Sequence, residues 1–305
     1  MFSDEDNAET AFLLLLQAAA RIMEKSTMSL EKCLPTCDIC AVVVIYNVQC
    51  GDSPTCQALS KIHDPSLQVL IYDNSTVDLG NREFCAKKGW VYLGGLGNAG
   101  LSKAYNASIA YLKQKQQVKL VCLFDDDTQI AAEYFNLLRE AGKHTTNRIF
   151  VPLIYSNHRL LSPCILKRNH RTKLFKSEQE AICYGGEDLS AINSCMALDL
   201  SLFENYQYDE NIFLDGIDHN FLMQMKQKGE CITVFPFVCN HEFSGDSMPS
   251  KKAALVRFSI YATDYRYIMR NNLLGYMMLL GRRTLHLTVQ YRSLCFIKVF
   301  FAKLF

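Results

Sequence analysis

The chain of 305 residues is 49% hydrophobic and 21% charged, enough apolar material for a sizeable core and too much for a disordered chain. Its formal net charge of +1 argues against a dedicated nucleic-acid binder, and no apolar run reaches the ~18 residues of a membrane span. The apolar stretch 11–20 follows Asp4, Glu5, Asp6 and Glu9, the wrong sign for a signal peptide, so a cytoplasmic α/β protein is expected.

Residues 1–27 read as an acidic lead and a short helix over 8–25, without chemistry of their own. A β/α alternation follows, with buried strands predicted at 41–46, 69–72, 90–93 and 120–124 and a helix at 101–114. Such alternation predicts a mostly parallel sheet covered on both faces, with ligands at the carboxyl ends of its strands. Asn47, Asp73, Asn98 and the run Asp125-Asp126-Asp127 all fall at those ends. Beyond residue 135 the pattern loosens. A strand is predicted at 149–154, and the basic, polar stretch 167–179 reads as a mobile loop. After Asn193-Ser194-Cys195 comes an acidic cluster around Asp215 and Asp218, then a helix over 221–228 stopped by Gly229. A last strand, 231–238, leads to Asn240-His241.

From Lys251 onward there are ten Lys or Arg against one acid, Asp264. Interspersed with Leu279, Leu280, Leu285, Leu287, Phe296, Phe300 and Phe301, these cations suit an amphipathic helical region lying on anionic lipid. The bland alternative is a helical pair packed on the body, its cations merely solvated.

The 13 cysteines are scattered and odd in number, and in a chain without a secretory signal reduced thiols are the default. Cys33, Cys37 and Cys40 form a C-x3-C-x2-C spacing similar to the cluster-binding triplet of radical SAM enzymes, but Cys40 would lie inside the first strand.

Gly95-Leu96-Gly97-Asn98-Ala99-Gly100 fits G-x-G-x-x-G between a strand and a helix, the context of a dinucleotide fingerprint. That reading implies an NAD(P)-dependent oxidoreductase. Against it, two strands precede the unit, and the next strand ends in three aspartates where ribose recognition needs one acid. Aspartates one apart can turn oxygens toward one point, where a hard divalent cation relieves their repulsion. An acidic turn capping the helix that starts near residue 131 is the competing explanation.

Several pieces, in order, resemble the bacterial rhamnosyltransferase-like group of glycosyltransferase family 2. They are Val43-Val44-Ile45-Tyr46-Asn47, Asp73-Asn74-Ser75, Gly97-Asn98-Ala99-Gly100 with Ala104-Tyr105-Asn106, and Leu123-Phe124-Asp125-Asp126-Asp127-Thr128. Phe213-Leu214-Asp215-Gly216-Ile217-Asp218, His241 and Tyr267-Ile268-Met269-Arg270-Asn271 extend the likeness over roughly residues 39–275. The resemblance implies a GT-A fold: a Rossmann-like, mostly parallel sheet flanked by helices, here with a C-terminal helical extension. It divides the chain into an extension at 1–27, a transferase domain at 28–250 and the basic region at 251–305. Within the domain the nucleotide-binding half runs over about 39–130 and the acceptor half over about 131–250.

The implied reaction moves a sugar, with inversion, from a nucleoside diphosphate (dTDP or UDP) to a saccharide or lipid-linked acceptor. dTDP-rhamnose is the leading donor and cell-surface polysaccharide synthesis the implied role. By the same resemblance Asp125, Asp127 and His241 hold Mn2+ or Mg2+, and Asn47 and Asp73 hold the base. Asn98, Lys103, Asp125, Asp126 and Arg270 serve the donor, with Arg266 available to a phosphate. Asp218 is the implied catalytic base, with Asp215 the competing assignment. Asn220 and Gln224 depart from the group, at positions often acidic and often Arg. These departures leave open a non-catalytic relative that binds nucleotide-sugar or glycan. No nucleic-acid partner is implied, and an anionic membrane surface is.

Overall fold

A computed structural model describes residues 38–95, 97–115, 117–240 and 250–304. The helix expected over 8–25, Cys33, Cys37 and His241 lie outside the described residues. Residues 37–305 form one compact unit.

The first strand, β1 (Ile39–Ile45), is ICAVVVI and is buried along its whole length. β-branched side chains suit a pleated strand, and each one fully buried contributes roughly 1.5–3 kcal/mol. Cys40 is one of these buried residues, packed as a small hydrophobe. β1 pairs in parallel with β2 (Leu67–Asp73) and β4 (Leu120–Asp125), and β2 in parallel with β3 (Val91–Gly94). Helices α1 (Pro54–Leu59), α2 (Asn81–Lys88) and α3 (Leu101–Lys115) are the crossovers. This is the parallel, doubly covered sheet that the alternation predicted.

The second half departs from simple alternation. After α4 (Ala132–Lys143) and β5 (Ile149–Ser156), strand β10 (Met196–Asp199) runs antiparallel between β4 and β5. The last strand, β11 (Ile232–Asn240), pairs in parallel with β5. The order is therefore β11-β5-β10-β4-β1-β2-β3, with β6 (Arg159–Ser162) added to β5. One core layer holds Val42, Leu123, Tyr105 and Phe221; the layer on the other face holds Val43, Phe124, Tyr134 and Phe235.

The stretch 167–179, read from its polarity as a mobile loop, is partly structured. Strands β7 (Cys164–Leu166) and β8 (Thr172–Leu174) form an antiparallel pair, extended by β9 (Leu189–Ser190), before α5 (Glu178–Ile182). His170, in the left-handed region at φ 56, makes the turn, and buried Phe175 anchors the hairpin in its own small core. Helix α6 (Ile217–Gln227) starts four residues before the predicted helix, which puts Asp218 in its first turn. The basic C-terminal region folds as three helices rather than a pair: α7 (Lys251–Ile268), α8 (Leu273–Tyr291) and α9 (Cys295–Leu304). Arg292 in the left-handed conformation ends α8 and lets the chain turn into α9. Tyr276, Leu280 and Phe296 are the centre of their shared core.

Candidate functional site

Strand register gathers the polar residues. Ile45 pairs with Asp73, Val44 with Asp125 and Asp73 with Gly94, so four strand ends finish side by side. Asn47, in the left-handed conformation that asparagine tolerates, locks onto the neighbouring turn. Its amide donates to Ser75 Oγ at 2.9 Å and its Oδ1 accepts from Thr76 N at 2.9 Å. Asp73 is buried, and its Oδ1 accepts from Ser75 N at 2.9 Å, an Asx turn. Its Oδ2 accepts from Asn81 Nδ2 at 3.0 Å and Tyr92 Oη at 3.1 Å. Three of about four acceptor positions on this carboxylate are thus taken by the protein itself. Burial, then the charge of Asp73, pushes the Tyr92 phenol up to about 12.

The glycine loop is shaped by the chain around it. A Cβ at Gly100 (φ +87) would stand 2.7 Å from Phe213 Cδ2 and 2.9 Å from the Phe213 carbonyl oxygen. At Gly94 (φ +94) it would stand 2.3 Å from the Asp73 carbonyl oxygen. Leu101 N, the first amide of α3, donates to Phe213 O at 2.8 Å, and Ser102 Oγ donates to Ile212 O at 2.6 Å. Asn98 caps its own loop through Gly100 N at 3.0 Å, and Lys103 is exposed on α3. The third glycine serves the approach of Phe213, not the open helix terminus that a dinucleotide pyrophosphate uses.

The aspartate turn is clamped from α1. Thr55 Oγ1 donates to Asp125 O at 2.6 Å, and Ser53 Oγ donates to Asp126 O at 2.6 Å. Ser53 also caps α1, with Pro54 at its first position. On the other side, Ser194 Oγ donates to Asp125 Oδ2. Burial, then the charges of Asp127 and Asp125, pushes the Asp126 carboxyl up to about 6. A half-buried turn of three mutually repelling carboxylates has the chemistry of a seat for a hard divalent cation. Among the described residues no group of three His, Cys, Asp or Glu encloses a metal position.

The start of α6 is held by α7. Asp264, buried, accepts from Phe213 N at 2.9 Å through Oδ1, and from Leu214 N at 2.9 Å and Asp215 N at 2.8 Å through Oδ2. Arg257 forms a two-pronged pair with Asp215, Nη2 to Oδ1 at 2.9 Å and Nη1 to Oδ2. Burial pushes the Asp215 carboxyl up against the pull of that guanidinium. Asp218 differs: among the described residues its carboxylate accepts only from the adjacent His219 N, at 2.7 Å.

One buried phenol feels the charge of both acidic regions. Tyr105, on α3, is almost wholly buried. Burial, then the charges of Asp125 and Asp218, pushes its phenol well above the usual range. The charges of the aspartate turn and of the first turn of α6 thus both reach the Tyr105 phenol. Of the residues singled out in the sequence, Asn47, Asp73 and the loop around Asn98 share the strand ends. The charges of Asp125 and Asp218 both raise the Tyr105 phenol. Arg270 lies exposed past the end of α7, its guanidinium 4.8 Å over the Tyr267 ring, and Arg266 lies 5.7 Å over Tyr276. Sequence reading missed Ser53, Thr55, Arg257 and Asp264. Ser53-Pro54 is a helix-start signature, and Asp264 is the lone acid in a run of cations; both were signals in plain sight.

No protein-family model matches the chain, and no curated protein matches it. Solved structures do. GalNAc-T7, crystallised with UDP, GalNAc and Mn2+, superposes with a TM-score of 0.56 at 13% identity over 81% of this chain and 50% of that one. The mannosyltransferase PcManGT from Pyrobaculum calidifontis, in complex with GDP-Man and Mn2+, gives 0.50 at 13% over 76% of this chain and 64% of that one. TarS of S. aureus (residues 1–349) gives 0.46 at 12% over 75% and 65%. The chain thus spans about half to two-thirds of these structures. The fold is the GT-A fold of glycosyltransferases, an α/β sheet with C-terminal helices.

Proposed function

We propose that this protein is a divalent-cation-dependent, inverting glycosyltransferase, a hexosyltransferase of cell-surface polysaccharide synthesis. Its donor is a nucleoside diphosphate sugar (dTDP or UDP), with dTDP-rhamnose the first to try, and its acceptor a saccharide or lipid-linked glycan. The observation that carries this reading is a carboxylate turn clamped through the Asp125 and Asp126 carbonyls, together with an Asp218 carboxylate that, among the described residues, accepts only from the His219 amide. Asp125 and Asp127, with His241, are the residues to hold Mn2+ or Mg2+, which when bound stabilises charge on the departing diphosphate. Asn47 and Asp73 bind the base, the latter through its remaining acceptor position. Asn98, Lys103, Asp126 and Arg270 serve the rest of the donor.

Asp218 takes the proton of the acceptor hydroxyl as its oxygen bonds to the anomeric carbon and the bond from that carbon to the phosphate oxygen breaks. Asp215 is the weaker choice because Arg257 already engages both of its oxygens. Such a protein works in the cytoplasm, at the inner face of an anionic membrane. Among the described residues no helix is long and apolar enough to cross one.

The test is a thermal-shift panel of UDP, dTDP, GDP, NAD+ and NADP+, each with and without Mn2+. Stabilisation by one pyrimidine diphosphate only with Mn2+ supports the transferase and identifies the donor nucleotide. A shift with NAD+ or NADP+ that ignores the metal overturns it. Nucleotide binding with no sugar transfer to any acceptor glycan tried points instead to a non-catalytic relative, the reading suggested by Asn220 and Gln224.

A further inference from the structure

Helix α8 is apolar on both sides. Its inner face, Tyr276, Leu280 and Thr284, is buried in the three-helix core. Its outer face carries Leu273, Leu274, Met277, Met278, Leu285 and Val289, all exposed, from 40% at Met277 to 77% at Val289. These positions follow helical spacing and lie along one side of the helix from Leu273 to Val289, about 25 Å at 1.5 Å per residue, in two groups either side of Gly281 and Arg282. Large apolar side chains exposed along that much of one helix mark something that covers them.

Charge decides what covers it. Arg282 sits in the stripe, and Arg292 and Lys298 lie exposed just beyond it. The one acid in the last 55 residues of the sequence, Asp264, is buried and engaged by three backbone amides. Among the described residues, these three helices therefore offer cations and apolar side chains with no exposed carboxylate of their own. A second copy meeting it through a two-fold axis would bring arginine against arginine with nothing to neutralise them. A nucleic acid would satisfy the cations and leave leucine and methionine in water. An anionic bilayer satisfies both: the apolar stripe enters the acyl boundary, and the arginines reach back to the phosphates.

We propose that the outer face of α8 is a lipid-docking surface that lays this helix in the plane of an anionic bilayer. The inference rests on the proposed function only for what the bilayer presents, a lipid-linked acceptor; docking itself is read without turnover. It sharpens the charge-based expectation by naming the inserted side chains. Leu279, Leu287 and Phe300 face the protein interior instead, and Leu280 and Phe296 are its core.

The test is flotation of the full chain with vesicles of phosphatidylglycerol and phosphatidylcholine in equal parts, against phosphatidylcholine alone. Wild type floats with the anionic vesicles and is released by high salt. The double variant Leu274→Ser/Leu285→Ser binds at least about tenfold more weakly, since each leucine withdrawn from an apolar phase shifts partitioning by about tenfold. Arg282→Glu/Arg292→Glu loses preference for the anionic vesicles. All four positions are exposed, and nucleotide-induced thermal shifts measured on the same samples report on the fold and on the donor site separately. Absence of wild-type flotation overturns the proposal. So does flotation that survives Leu274→Ser/Leu285→Ser, or a vesicle-free dimer that the same substitutions dissociate.

Discussion

Asp264 offers the sharpest perturbation of the candidate site from outside it. Three backbone amides converge on one buried carboxylate, at 2.8 to 2.9 Å. Hydrogen bonds to a charged group contribute about 1.5–3 kcal/mol each, and a buried amide left without a partner costs about 1–3 kcal/mol. In Asp264→Asn the volume stays the same, one oxygen remains, and the new NH2 faces at least one amide donor to donor. The expected loss is about 2–4 kcal/mol; Asp264→Ala, which strands all three amides, loses about 3–6 kcal/mol. Because global stability is only about 5–15 kcal/mol, the asparagine variant is the usable one. Its urea midpoint should fall by about 1 M, for a slope near the upper end of the usual 1–3 kcal/mol/M. Hydrogen exchange should show protection lost first at Phe213, Leu214 and Asp215, before the central strands. Sugar transfer should fall more in kcat than in the donor KM, because Asp218 directly follows this loop while Asn47, Asp73 and Asp125 sit on strand ends that Asp264 does not touch. A wild-type urea midpoint with unaltered exchange at 213–215 would falsify the reasoning.

Arg257→Met leaves the Asp215 carboxyl without its partner, and should destabilise by about 1–2 kcal/mol at neutral pH, less than a fully buried pair because the guanidinium is half in water. The folded pKa of Asp215 is already raised, and losing Arg257 raises it further above the unfolded value. The penalty is therefore full above the folded pKa, and the gap to wild type should narrow as pH falls through it; a gap that widens toward acid sinks this account. Gly100→Ala should lose about 2–4 kcal/mol by forcing Phe213 away, whereas Gly97→Ala, with nothing within 4 Å of its Cβ, should lose only about 1–2 kcal/mol for its φ of +93. Equal effects in denaturation would return the glycine pattern to a ligand-binding explanation. Asp127→Ala should abolish the Mn2+-dependent nucleotide shift, while Asp218→Asn should keep that shift and lose at least about 100-fold in turnover. Full turnover in Asp218→Asn would remove it as the base.

β1, β2 and β4 were legible because each is a short apolar run with its centre buried, and β3, half-buried at the sheet edge, because its apolar run stops at glycines. The polar edge was legible for the same reason, since strand ends are where such runs stop. What escaped was set by tertiary contact. β10 is only four residues long and acquires its strand character from β4 and β5 on either side. The pair β7 and β8 looks like solvated loop until Phe175 is seen buried beneath it. Thr55 and Asp125 are 70 residues apart, and Asp264 and Phe213 are 51 apart. No local pattern announces a hydrogen bond over that distance. The glycine loop was readable as a loop but not in purpose, because the atoms that require Gly100 belong to Phe213.

Asp215 and Asp218 show the same limit at the scale of one turn. In sequence they are two acids three residues apart, equally fit to be a base. The fold separates them at Gly216, whose φ of +73 reverses the chain, so that Asp215 faces α7 and Asp218 enters the first turn of α6. Arg257 then engages one and leaves the other to a single amide. Which carboxylate keeps a free oxygen is thus decided by a helix that begins more than thirty residues later. α7 thus serves two neighbours: Arg257 and Asp264 hold the acidic loop, while Phe258 and Ala262 pack in the core it shares with α8 and α9. Its contacts cross residue 250, where the change in charge falls, because the loop's amides and carboxylate find their partners on this helix.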